Sequence, residues 1–403
     1  MQITTQNDIR LTIRKQIIIP DQVKMARYRK VPELGPRILF FSGGSALRRL
    51  SRQLKKYTYN SIHVITAFDS GGSSAVLRRA FKMLAIGDLR ARLMDLADQT
   101  IFGNPEIYEL FTYRFSIDVD KASLALELSD MVQGRHPLVQ KIPSPMRRII
   151  KNHLFWFKRR MPAFFDLRGA SIGNLILTAG YLENRRHPDT VIYIFSRLVQ
   201  VKGTVRPIVN RYLHLVAELA DGCTVVGQHM VTGKVVPPLK SKIKKIYLSE
   251  NTDHPEEASV HIREKMRQLI CEAELICYPM GSFYSSIIAN LLPRGVGATI
   301  AYNHAPKVYV PNMGHDPECI GIGLNEQVHK LIEYGCRDSV DIAPADIVNF
   351  VVIDSKNGSY QGSIDKENLK KMGIEVIDCR LVSERSAPLI DEELLLPVLL
   401  SLT

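Results

Sequence analysis

Five short segments of this chain carry small, polar or charged residues at spacings that suit anion chemistry. They are Ser42-Gly43-Gly44-Ser45, Asp69-Ser70-Gly71-Gly72-Ser73-Ser74, Gly87-Asp88-Leu89-Arg90, Ser171-Ile172-Gly173-Asn174 and Gly281-Ser282-Phe283-Tyr284-Ser285-Ser286. Glycine lets the backbone tighten and turn its N–H groups outward, and a following helix N-terminus adds partial positive charge. Phosphate is the natural occupant of such a turn. No segment matches Gly-x-Gly-x-x-Gly or the Walker pattern Gly-x-x-x-x-Gly-Lys-Ser/Thr, so each alone also reads as a plain tight turn. Asp69 stands beside a glycine–serine nest, where a carboxylate repels phosphate unless a cation or hydroxyl intervenes. That makes Asp69 a candidate for Mg²⁺ or a ligand hydroxyl, and otherwise a helix N-cap. Asp88 is a candidate cap as well. Arg78, Arg79, Arg90 and Arg92 supply guanidinium groups that can grip phosphate in bidentate fashion.

Regular elements must place these turns. Ile38–Phe41 is a short continuous apolar run, as in a strand buried on both faces, and Ser42 to Ser45 closes it. Ala46 to Lys56 has Leu47, Leu50 and Leu54 at helical spacing. Ile62–Phe68 predicts a second strand, then the Asp69 turn and a helix from near Val76. Strand, turn and helix in repetition is the pattern of βαβ units. Residues 190–195, 246–248, 275–277 and 307–310 are expected as further short strands, and residues 11–20 as a strand in an N-terminal arm. In an open parallel sheet the turns at the strand ends gather along one edge.

With 53 basic and 41 acidic residues, the net charge of +12 favours anionic partners. Seven basic residues and no acid lie between Lys141 and Arg160, with Met146, Ile149, Ile150, His153, Leu154 and Phe157 on one helical face. This reads as a helix packed on the fold or in a homodimer, with a basic flap over an anionic ligand as the sharper alternative. No aromatic-rich RNA motif or helix-turn-helix pattern accompanies it, so nucleic acid is not the expected partner. The six cysteines form no Cys-x-x-Cys pair and read as separate thiols. No apolar run has the length of a membrane span and the chain opens on no secretory signal pattern, so a cytoplasmic protein without a membrane partner is expected.

The turns, in this order, resemble the CofD-like family, which includes the 2-phospho-L-lactate transferases and the YvcK-like gluconeogenesis factors. The resemblance rests on Phe41–Ser45, Ala67–Ser74 with Leu77-Arg78, Gly87–Arg90, Ser171–Asn174, Val201–Pro207, Leu215–Gly222, Ile243–Leu248, Gly281–Ser286 with Asn290–Leu292, and Lys307–Val310. It runs from about Arg37 to the 330s. The Gly-Gly-Ser-Ser nest and the Gly-Asp-Leu-Arg turn are closer to the YvcK-like branch. The resemblance implies an α/β, Rossmann-like three-layer fold with a mostly parallel sheet and a nucleotide or nucleotide-sugar ligand. In the transferase branch it also implies Mg²⁺. The family usually has two adjacent acids before the Gly-Gly nest, whereas this chain has Asp69-Ser70. It also has Pro279-Met280-Gly281-Ser282 for the usual Gly-Pro-Gly-Ser, and Ser45-Ala46 where threonine–glycine usually continues the first turn.

The expected organisation is an arm over 1–36, a nucleotide-binding domain over 37–335 with a basic helical insertion at 141–165, and an extension over 336–403 packed on that domain. The expected site is Gly43, Gly44, Ser45, Ser70, Gly71, Gly72, Ser73, Ser74, Arg78, Asp88, Arg90, Gly173, Asn174, Gly281, Ser282, Tyr284 and Ser285, with Asp69 as catalytic or metal-binding group. Three functions compete: transfer of a phosphate-linked group from a nucleotide donor to a hydroxyl, non-catalytic sensing of a nucleotide-sugar, and NAD-dependent oxidoreduction. The missing Gly-x-Gly-x-x-Gly and the serine-rich nest after Asp69 weigh against the last.

Overall fold

Alternate residues of the first strand, β1 (Ile38–Ser42), feed two separate cores. Ile38 and Phe40 pack with Leu47, Leu50 and Leu54 and with Leu395, Leu396 and Leu399 near the C-terminus. Leu39 and Phe41 face the other way, into a larger core with Leu77, Leu89 and Leu93. A strand buried on both faces needs helices above and below it, which gives the three-layer α/β arrangement. The structure, a computed structural model, describes residues 16–403 except 45, 234, 235 and 315.

Among the described residues the main sheet has seven strands. Besides β1 they are β2 (Ile62–Ile65), β3 (Thr204–Pro207), β7 (Leu275–Tyr278), β8 (Lys307–Tyr309), β9 (Phe350–Ile353) and β10 (Glu375–Asp378), in the order β10-β9-β8-β7-β1-β2-β3. Every neighbouring pair is parallel. The chain winds outward through β2 and β3 on one side of β1, then returns to add β7 on the other. The order therefore reverses between β1 and β7, where a crevice opens at the strands' C-terminal ends. Between β3 and β7 an antiparallel unit is inserted, made of β4 (His214–Leu219), β5 (Thr224–Val226) and β6 (Ile243–Ser249).

Several expectations change. Residues 190–195, expected as a strand, lie in the helix Pro188–Leu198. Val191, Ile192, Phe195 and Leu198 are buried and Tyr193 is exposed, a helical spacing that only the packed neighbours reveal. The helix expected near Val76 begins at Gly72. Helix Gly87–Leu96 takes Ile86 as its N-cap, with Asp88 inside the first turn. Most of the strand expected at 11–20 lies outside the described residues, and Gln16–Pro20 carries no strand. The helix Gln22–Lys30 sits against the C-terminal helix Glu392–Ser401, with the Asp21 amide donating to Ser401 Oγ at 2.7 Å.

The basic segment forms the helix Met146–Arg160, whose Ile150, Leu154 and Phe157 are buried against helices Lys121–Gln133 and Ile172–Glu183. Its cations lie along that scaffold. Lys158 Nζ donates to Ser129 Oγ at 2.6 Å, Lys151 Nζ to the Gln133 carbonyl at 3.0 Å, and Arg160 pairs with Glu183 at 2.6 Å.

Candidate functional site

The Gly43-Gly44 turn closes β1 and is set from behind by a buried cation. Arg92, fully buried, donates from one terminal nitrogen to the carbonyls of Gly43 at 3.1 Å and Gly44 at 3.0 Å. Its other terminal nitrogen donates to Ser51 Oγ at 2.7 Å, and Asp95 lies 3.7 Å away. In a trans peptide the N–H points opposite the carbonyl, so holding the Gly43 carbonyl inward sends the Gly44 N–H outward. Both glycines are needed for space. A Cβ on Gly43 would meet Ser286 Oγ at 2.4 Å, and one on Gly44 would meet Asp88 Oδ1 at 2.3 Å. Ser45 lies outside the described residues.

After β2, the Asp69 carboxylate accepts from the Gly71 N–H at 3.0 Å, which folds the turn over the start of helix Gly72–Phe81. Ser74 is buried in that first turn, and its hydroxyl accepts from the Gly87 N–H at 3.1 Å. Asn174 reaches across from the next layer and donates to Ser73 Oγ at 3.0 Å. Two residues of this turn face elsewhere. Ser70 Oγ bonds His229 Nδ1 at 2.7 Å, and Ser70 itself does not line the main cleft. Arg78 is a buried staple that donates to the carbonyls of Phe68 at 2.8 Å, Asp69 at 3.0 Å and Leu213. It shapes the turn, and does not line the main cleft as a phosphate grip would.

Arg90 enters the cleft from helix Gly87–Leu96 with Arg48 and Arg114 on the same wall. Burial first, and then the neighbouring Arg114, bring its guanidinium below the ordinary arginine range, to about 10. Its Nε has no hydrogen-bond partner among the described residues. Gly173 makes room for this side chain, since a Cβ there would stand 2.8 Å from Arg90 Cδ. Gly173 and Asn174 thus support the wall from the first turn of helix Ile172–Glu183 without lining the cleft.

The turn after β7 is built differently. Gly281, at φ 146°, and Ser282 line the cleft. The helix that follows does not present its N-terminus there, because Asp316 accepts from the Phe283 N–H at 2.9 Å and Glu318 from the Ser285 N–H at 2.8 Å. Ser285 Oγ also donates to Glu318. Tyr284 and Ser285 are buried behind the turn, and burial pushes the Tyr284 phenol far above its usual range.

Together these turns enclose a cleft of about 370 Å³ at the C-terminal ends of β1, β2 and β7. Of the residues expected from the sequence, Gly43, Gly44, Asp69, Gly71, Gly72, Ser73, Ser74, Asp88, Arg90, Gly281 and Ser282 line it, whereas Ser70, Arg78, Gly173, Asn174, Tyr284 and Ser285 do not. No residue of the basic helix Met146–Arg160 lines it either, so the flap expectation finds no contact. Sequence reasoning missed Arg48, Arg114, Gln228, His229 and Thr232, the last three supplied by the antiparallel insertion. A hint lay in Gly227, at φ 102°, where a Cβ would strike the His229 ring at 2.9 Å.

Among the described residues no three or more His, Cys, Asp or Glu side chains converge as a metal centre. The acids of the lining, Asp69 and Asp88, fit a cation that draws most of its ligands from water and phosphate, as Mg²⁺ does. Among the described residues, no helix is long and apolar enough to cross a membrane.

Comparison with known proteins agrees with this architecture. The chain is 28% identical over 365 residues to the putative gluconeogenesis factor of Thermoanaerobacterium thermosulfurigenes, covering 87% of this chain and 92% of that protein. It is 28% identical over 358 residues to the gluconeogenesis factor of Bacillus subtilis, with the same two coverages. A crystal structure of a UPF0052 family protein from Bacillus halodurans superposes with a TM-score of 0.64 at 22% identity, over 90% of this chain and 98% of that one, and so shares the fold. Residues 38–382 match the family described as 2-phospho-L-lactate transferase CofD, a span that runs past the 330s, where the motif resemblance stops. This protein therefore belongs to the CofD family.

Proposed function

We propose that the cleft binds the phosphate chain of a nucleotide or nucleotide-sugar, and that Asp69 and Asp88 would hold Mg²⁺, which would supply charge neutralisation for the phosphates. The observation that carries this reading is Arg90. A largely buried guanidinium beside Arg114 and Arg48 is costly until an anion joins it. The glycine turns after β1 and β2 add backbone N–H groups to the same cleft, and a phosphate chain suits both these groups and the guanidinium groups. Because Asp88 lies against Gly44, its carboxylate would repel a phosphate on that turn, and Mg²⁺ held by Asp88 would supply the neutralising charge. A thermal-shift panel of GDP, UDP, a UDP-sugar and NAD, each with and without Mg²⁺, tests the reading. Stabilisation by the diphosphates or the nucleotide-sugar that grows with Mg²⁺ is expected, and a flat response to all of them removes the nucleotide reading.

Two activities fit such a site. The family's description favours transfer, in which an acceptor hydroxyl attacks the phosphate-linked group and a nucleotide leaves. Sensing without turnover is favoured by Ser70, because the position beside Asp69 supplies a hydroxyl bonded to His229 in place of a second carboxylate. Nucleotide release from a guanylyl- or uridylyl-linked donor, followed by phosphorus NMR, separates the two.

A further inference from the structure

A second groove lies on the far side of the Gly71-Gly72 turn. It encloses about 580 Å³ between helix Gly72–Phe81 and the antiparallel sheet, and shares Gly71, Gly72 and His229 with the cleft. The partition is mostly bare backbone: nothing among the described residues lies within 4 Å of where a Cβ on Gly72 would stand. Lining the groove are Arg78, Arg79, Lys82, Tyr212, His214, His229 and small or hydroxylic residues, with no acid among them. Arg78 and Lys82 both approach the Tyr212 ring, at 5.1 and 5.5 Å, and His214 meets its edge at 4.8 Å. Arg79 and Lys82 are exposed. Burial first, then the charges of Arg78 and Lys82, bring His214 down to about 4.

We propose that this groove takes the anionic group, a carboxylate or phosphate, of a second molecule lying beside the ligand of the main cleft. The inference rests on the nucleotide reading for what fills the cleft, while the groove's own chemistry stands apart from it. Arg79 and Lys82 supply exposed cations at the rim, His214 and His229 supply ring nitrogens, and the glycine partition lets the two ligands meet. An anion there offsets the field of Arg78 and Lys82, so His214 gains basicity when the groove fills.

The test uses the full chain with labelled histidine, following the His214 ring signal as malonate or inorganic phosphate is added at constant ionic strength. The signal is expected to move saturably, with its titration shifted to higher pH, and to do so with or without saturating GDP. Arg79→Ala/Lys82→Ala is expected to weaken this response about tenfold or more while the melting temperature and the GDP response stay unchanged. No movement of His214, or an equal response in the double variant, overturns the proposal. Loss of the response when GDP is present also overturns it, because the nucleotide itself would then fill the groove. If GDP fails to bind at all, the malonate arm still reads the groove, so the two failures are distinct.

Discussion

The turns after β1 and β7 read alike in the sequence and sit side by side across the point where strand order reverses. Each pairs glycine with serine at the end of an apolar strand and leads into a helical segment. Their wiring is opposite. After β1 a buried cation, Arg92, holds the carbonyls. After β7 two buried acids, Asp316 and Glu318, hold the amides. A peptide held by its carbonyl offers its N–H to the cleft, and one held by its N–H has less to offer an anion. Residues far along the chain, and not the glycines, decide which of two similar turns is fit to bind phosphate.

The largest effect is expected from Arg92→Ala. It frees two carbonyls and leaves Asp95 buried with fewer partners, at a cost of about 3–5 kcal/mol in urea unfolding. Nucleotide binding should disappear with it, and a loss below about 1 kcal/mol would show that the turn stands without its cation.

Arg90→Ala acts on the ligand alone. Removing one charge-assisted contact should weaken GDP by roughly 10- to 100-fold by calorimetry. The unliganded protein should melt no lower than the parent, because the variant also removes a cation crowded by Arg114 and Arg48. A clear drop in melting temperature with intact affinity would make Arg90 a packing residue.

Glu318→Gln probes the other turn. Weakening the acceptor for the Ser285 N–H should cost about 1–3 kcal/mol of stability and change GDP affinity little. If affinity collapses while stability holds, the two turns are not wired differently in any way that matters for binding.

The smallest effect is in pH. Arg90 is lowered to about 10, so GDP affinity should fall as pH rises through that value, and less steeply in Arg90→Ala. The sign for stability is the reverse. Between about 10 and the ordinary arginine range the unfolded chain holds a proton that the folded one has released, so this group's contribution rises with pH there.

Much of the site was legible because glycine and serine mark strand ends and because a doubly buried strand is continuously apolar. β1, β2 and β7 and the first two turns follow from that alone. What was not legible depends on partners distant in sequence. Arg78 and Arg92 look like surface grips beside glycine turns, yet one staples Leu213 and the other Gly43 and Gly44. His229 and Thr232 come from an insertion whose path over the cleft no spacing specifies. Pro188–Leu198 is rich in β-branched and aromatic residues and still folds as a helix, since packing outweighs a propensity of that size.

Residue 38 pairs with residue 275 at the centre of the sheet. The floor of the cleft is thus shared by the early and the late part of the chain, and a ribosome must release most of the protein before its two halves can meet. Closing so long a loop is slow compared with forming the local βα units on either side. Until that closure, β1 stands as an open edge with apolar residues on both faces, the kind of surface that invites pairing with another chain. A ligand seated between the halves should speed commitment to the native pairing only after β7 arrives.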